Sequence, residues 1–253
     1  MNKFKYYKLY SLEQVQIKLC LEDDNMKEAV SKVKDKKCET SFEKVIDIAF
    51  NLFLENGYDA TTIRMIIDEV GIHIGSLYYI FPNKESILKA LMITIYDMIH
   101  KKAQTLQTDT NDLATLLYPT ASILYMSDKS DKISRLFYKA YSTWSVFDEL
   151  LKFSRSWALK YNFSPGVDNR EYNAKLLFIF GGLGNMVGDL CHNDGKAGYR
   201  EKLDQFIDVS CRIFGVEIPE NIQETKNLLY NILETEKITI LGKQIDIEYS
   251  RGE

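Results

Sequence analysis

Between Thr61 and Lys84 the sequence gathers side chains suited to gripping a polyanion. Thr62 stands where a helix can begin. There its hydroxyl and the free backbone N–H groups of a helix N-terminus can hold a phosphate. Thr61 can cap the same helix. Tyr78 can donate its hydroxyl to a phosphate oxygen, and Lys84, at the start of the next helix, can neutralise another. Contacts of this kind position a protein on nucleic acid without reading its sequence.

Other chemistry is missing. The chain has no nucleophile elbow, P-loop, dinucleotide glycine motif or metal-spaced His/Asp/Glu set. His73, His100 and His192 are isolated. Asp189 and His192, spaced i, i+3 with Asp194 following, come nearest to a metal site. The expectation is therefore no enzyme, no cofactor and no metal. Cys20, Cys38, Cys191 and Cys211 are dispersed and lack CxxC spacing, and no signal peptide is evident. Both features point to a reducing, cytoplasmic setting. The apolar run Leu176–Leu190 reads as too short and too Gly-rich to span a bilayer, and it carries Asn185 and Asp189.

The elements that must position the gripping residues follow from apolar spacing. Phe42, Val45, Ile46, Ala49, Phe50 and Phe53 recur at helical intervals, and Asn56-Gly57 stops that helix. Ile63, Ile66, Ile67 and Val70 form the apolar side of a second helix ending at Gly71. A third is predicted from about Gly75 to Phe81, with Pro82 after it. A long fourth runs from Pro82 or Asn83 to about Leu106. Two short helices joined by a tight turn after a longer one make a helix-turn-helix between Ser41 and Ala90. Its second short helix would enter the major groove.

The segment VIDIAFNLFLENGYDATTIRMIIDEVGIHIGSLYYIFPNKESIL resembles the tetracycline-repressor (TetR/AcrR) family of transcriptional regulators. The resemblance rests on Ala49, Phe53, Gly57-Tyr58, Thr61-Thr62-Ile63, Ile66, Gly71-Ile72, Gly75-Ser76-Leu77-Tyr78, Phe81 and Lys84-Glu85. Ile67 and Ile80 depart from the family's usual small and polar residues. The resemblance implies a partner, a double-stranded DNA operator. It places His73, Ile74, Ser76 and Tyr79 where the recognition helix meets base edges, beside Thr61, Thr62, Tyr78 and Lys84. Ile74 offers only apolar contact, for example to a thymine methyl. It also implies a regulator, in the simplest case a repressor released by a small-molecule effector, working as a homodimer.

The expected architecture is all-α. It comprises an N-terminal extension (1–40), the helix-turn-helix domain (41–90), a helical regulatory and dimerisation domain (91–217), and a C-terminal helix and tail (218–253). Helices are predicted over Leu113–Met126, Ile133 to about Tyr161 as one long element, Asp168 to about Cys191, Tyr199–Phe214 and Glu220–Glu234. A small hairpin is predicted in the tail. Tyr96, His100, Phe137, Tyr141, Trp144 and Phe178 are the candidates for lining a ligand pocket, although aromatic stripes at this spacing usually belong to a core. Leu176, Phe180, Leu183, Met186, Leu203, Phe206 and Ser210 are the candidates for the dimer interface, with Gly181, Gly182 and Gly184 allowing close approach. Over 41–90, Lys44, Arg64, Lys84 and Lys89 face seven acids, a net charge of −3. Counterion release supplies much DNA affinity, so the acidic head leaves a second reading open, a helical interaction protein with little DNA binding. The first forty residues, with nine Lys against seven acids, are positioned to add basic contacts.

Overall fold

The computed structural model describes residues 36–106, 112–160, 169–192, 197–236, 239–241 and 243–244. Most of the expected N-terminal extension, residues 1–35, lies outside them. Ten helices are described: α1 (Lys36–Asn56), α2 (Ile63–Val70), α3 (Ile74–Ile80), α4 (Lys84–Gln104), α5 (Asp112–Lys129), α6 (Asp131–Ser142), α7 (Trp144–Lys160), α8 (Asn169–His192), α9 (Tyr199–Phe214) and α10 (Ile222–Thr235). Two short strands, β1 (Thr239–Ile240) and β2 (Lys243–Gln244), pair antiparallel with Thr239 opposite Gln244. This tail hairpin turns through Leu241, whose φ is 53°.

The first three helices close on a small core. Val45, Ile46, Ala49, Phe50 and Phe53 of α1, Ile66 and Val70 of α2, Leu77 of α3 and Phe81 are all buried. Gly57 (φ 81°) ends α1, with its N–H on the Phe53 carbonyl at 3.0 Å. Gly71 (φ 73°) ends α2 in the same way, on Ile67 at 2.9 Å. This left-handed geometry suits glycine, which has no Cβ to clash. Asn83 and Ser86 form a reciprocal capping box that starts α4. That helix is buried along most of its length from Ile87 to Ala103, so it is both the exit from the head and a central column of the body.

The body is built around α4 and α5, with α6 to α10 packed on them. One sequence expectation fails here. The predicted long helix from Ile133 divides into α6 and α7 at Thr143, which is extended (φ −98°, ψ 107°). Its hydroxyl donates to the Lys139 carbonyl at 2.8 Å, a local bond that competes with continuing the helix. Gly184 and Gly188 let α8 approach α6 closely, since a Cβ would meet Tyr141 Cβ at 3.0 Å and the Tyr138 ring at 2.6 Å. The stretch Arg170–His192 of α8 is long and apolar enough by length and composition to cross a membrane. In this fold it packs against α5, α6, α7 and α9.

Candidate nucleic-acid interface

α3 presents an outward face of side chains that the head's core does not use. Ile74 is 58% exposed, Tyr78 48% and Tyr79 50%, while Leu77 between them is fully buried. Ser76 and the N-capping His73 are exposed too, and His73 makes no side-chain cap. Beside this face, Thr62 caps α2 by accepting from Met65 N–H at 3.2 Å. An accepting hydroxyl keeps its own proton, so exposed Thr62 can still donate to an anion. Arg64, which the sequence reading passed over, sits in the first turn of α2 with its side chain 90% exposed and only a long, 3.8 Å approach to Asp68. Its position two residues after Thr62 was the available signal.

Two expected anchors are turned inward. Thr61 is fully buried, and its single hydroxyl proton is within reach of the carbonyls of Leu52 (3.0 Å) and Gly57 (2.8 Å). Lys84 donates to the carbonyls of Tyr58 (2.7 Å), Asp59 (3.3 Å) and Thr61 (2.7 Å). An ammonium has three donors, and all three are engaged. Burial pushes its pKa below the ordinary lysine value, against the opposing pull of Asp59. Lys84 thus ties the α1–α2 loop to the start of α4, instead of standing free for phosphate. The carbonyls of a tight loop end are unpaired in sequence terms, and only the folded head shows what satisfies them.

The head meets the body through groups far apart in sequence. Lys139 of α6 pairs with Asp59 at 2.7 Å and lies 5.1 Å from the centre of the Tyr58 ring, opposite Lys84 at 4.4 Å. Ser145 of α7 hydrogen-bonds Glu85 of α4. Tyr58 is pushed up to about 12 by burial, with the charges of Glu85 and Asp59 adding to it.

In the body, residues of α4, α5, α7, α8 and α9 line a partly open cavity of about 140 Å³. Of the six pocket candidates, Tyr96 and His100 line it and the other four do not. Phe137 is fully buried in the core, and Tyr141 is buried with its hydroxyl bonded to that of Tyr96. Trp144 and Phe178 are outside, 69% and 76% exposed. Helical spacing identifies a stripe but cannot say which neighbour it faces. Trp157, Leu183, Phe206 and Ser210 line the cavity instead, together with aliphatic residues of α5.

The interface candidates on α8 and α9 are mostly turned into their own subunit. Phe180, Leu183, Leu203 and Ser210 are buried, and Leu176, Met186 and Phe206 are half-buried. The outward apolar residues are one register step away: Leu177 (41% exposed), Phe178 and Val209 (46%). Gly181 and Gly182 have open space around their missing Cβ positions. Both faces of α8 are apolar, so composition alone could not choose between them. Asp189 pairs with the buried Lys202, and His192 Nδ1 bonds the Gly188 carbonyl at 2.8 Å. Asp194, the third member of that suggested metal set, lies outside the described residues. No metal-binding cluster is found among those described.

A buried three-helix core and a short exposed helix after a tight turn define a helix-turn-helix unit, followed in the chain by a helical body. Residues 45–91 match the bacterial regulatory proteins of the tetR family, so this chain carries a tetR-family helix-turn-helix domain. Over 76 residues it is 37% identical to the biofilm operon icaADBC HTH-type negative transcriptional regulator IcaR of Staphylococcus aureus (strain Newman), covering 30% of this chain and 41% of that protein. Over 81 residues it is 28% identical to the uncharacterized HTH-type transcriptional regulator YuxN of Bacillus subtilis (strain 168), covering 32% of this chain and 28% of the relative. The chain thus spans less than half the length of either relative. No solved structure matches it.

Proposed function

We propose that the chain is a sequence-specific, DNA-binding transcriptional regulator of the cytoplasm. In this reading it is a homodimeric repressor released from its operator by a small molecule held in the helical body. The observation that carries it is the outward face of α3. Ile74, Ser76, Tyr78 and Tyr79 stand exposed on a helix whose opposite side is locked by Leu77, while Thr62 and Arg64 flank them. Tyr78, Thr62 and Arg64 position the backbone; His73, Ile74, Ser76 and Tyr79 meet base edges. The printed role of the S. aureus relative, a negative regulator, supports repression.

Dimerisation fits the open faces of α8 and α9, where Leu177, Phe178 and Val209 leave apolar surface beside Gly181 and Gly182. A two-fold dimer presents two α3 helices to paired half-sites. Ligand release then needs an effector that binds the DNA-incompetent spacing better. The connection is short: Tyr96 lines the cavity and bonds Tyr141 of α6, and α6 also carries Lys139, which grips Asp59 of the head.

A mobility-shift titration on the DNA upstream of the chain's own coding region, over a range of salt, tests this. A discrete complex that competitor DNA of scrambled sequence does not displace is expected. Its salt slope should be shallow, at about 0.9 per phosphate neutralised, because two of the head's four cations are engaged with carbonyls, Lys44 with Val70 and Lys84 with its loop. Failure to form a discrete complex even at low salt would favour the second reading, an interaction protein, which the net −3 of residues 41–90 supports.

A further inference from the structure

We propose that the body cavity takes a small, uncharged, single-ring molecule bearing one hydroxyl group, a phenol in chemical class, with the hydroxyl held by His100 and Ser210. This rests on the reading of the body as the effector domain and goes on to name its ligand. Size is the first constraint. A cavity of about 140 Å³ is close to the roughly 150 Å³ that admits benzene in an apolar protein interior. Charge is the second. Among the described lining residues there is no Lys or Arg, and the single acid, Glu217, is exposed. A carboxylate or phosphate would therefore lose its hydration with no compensating partner.

The polar groups settle the rest. His100 is 4% exposed, boxed by the rings of Phe153 at 4.8 Å and Trp157 at 4.5 Å. Its Nδ1 lies 2.6 Å from the Tyr96 carbonyl. A carbonyl only accepts, so Nδ1 carries the hydrogen. Burial holds the ring neutral, pushing its pKa down to about 4. Nε2, on the far side of the ring, is then a lone-pair acceptor that calls for a donor. Ser210 lines the same cavity, 6% exposed, and its Oγ has no hydrogen-bond partner. The remaining deep hydroxyl, Tyr96, already bonds Tyr141. A ligand hydroxyl suits both groups, donating to Nε2 of His100 and accepting the proton of the unpartnered Ser210 hydroxyl. Apolar walls such as Ile123, Leu151 and Leu183 cover its ring.

Calorimetric titration of the full chain with 4-methylphenol, toluene and 4-methylbenzoate tests the proposal. Saturable binding of 4-methylphenol is expected, with toluene about tenfold weaker because it leaves buried polar groups unpaired, and no binding of the carboxylate. His100→Phe and Ser210→Ala should each weaken 4-methylphenol about fivefold or more and leave toluene unaffected. If His100→Phe does not fold by circular dichroism, Ser210→Ala, the loss of one oxygen, decides. Equal affinity for toluene, a preference for the carboxylate, no binding of 4-methylphenol, or undiminished 4-methylphenol binding by the folded variants overturns the proposal. Mobility shifts on the same samples separate the two readings. Binding of 4-methylphenol without loss of the DNA complex keeps the phenol site and sinks ligand release. DNA release by other compounds, with 4-methylphenol not binding, does the reverse.

Discussion

The reading head and the helical body put their buried polar groups to different uses. In the head, Thr61 and Lys84 turn inward onto loop carbonyls, and Ile74, Ser76, Tyr78 and Tyr79 of α3 are left outside its core. In the body, His100 and Ser210 are buried against a cavity, and the apolar groups Trp144, Leu177 and Phe178 are the ones left outside. A small domain must satisfy its loop ends before it can present anything, so its free surface is what remains after that demand. The head's buried donors are taken up by its own backbone, whereas the body keeps a buried Ser210 hydroxyl without a partner beside its cavity.

Substitutions can break or sharpen this contrast, and the largest effect should come from the head's core. Leu77→Ala removes the fully buried residue that locks α3 and should cost about 2–5 kcal/mol, read by urea denaturation, with DNA binding lost alongside. Next comes the pH response of the body. The folded pKa of His100 is about 4 against 6.5 for the free side chain. The unfolded chain therefore binds the extra proton first. This contribution is intact above pH 6.5 and is lost as pH falls toward 4, by on the order of 3 kcal/mol. Urea midpoints across that range should show the loss, and His100→Phe should flatten it.

Lys84→Met separates a structural clamp from a phosphate anchor. As a clamp, it should lose about 1–3 kcal/mol of stability by leaving loop carbonyls unpaired. As an anchor, it would keep its stability and lose about one unit of salt slope. Tyr78→Phe should do the opposite of a clamp, with stability within about 0.5 kcal/mol and DNA affinity down by about 1 kcal/mol. Smallest is Lys139→Met. Its partner Asp59 is 81% exposed, so the stability change should be about 0.2–1 kcal/mol. Its informative readout is the effect of ligand on DNA binding, which should weaken if the α6–loop contact carries the coupling.

Local chemistry made much of this protein legible in advance. The apolar spacing of α1 and α2, the glycines at 57 and 71 and the Thr62 cap belong to single turns of chain. Their physics needs no distant partner, so the helix-turn-helix and the all-helical class could be read directly. Tertiary structure decided the rest. It turned Lys84 and Thr61 inward because loop carbonyls needed donors, and it split the predicted helix at Thr143. It also sent Phe137 to the core and Trp144 and Phe178 to the surface, and it set the register of α8 so that Phe180 faces in and Phe178 out. Each outcome depends on what lies across the gap from a side chain, and helical periodicity, which fixes only the spacing of a stripe, carries no information about the opposite wall.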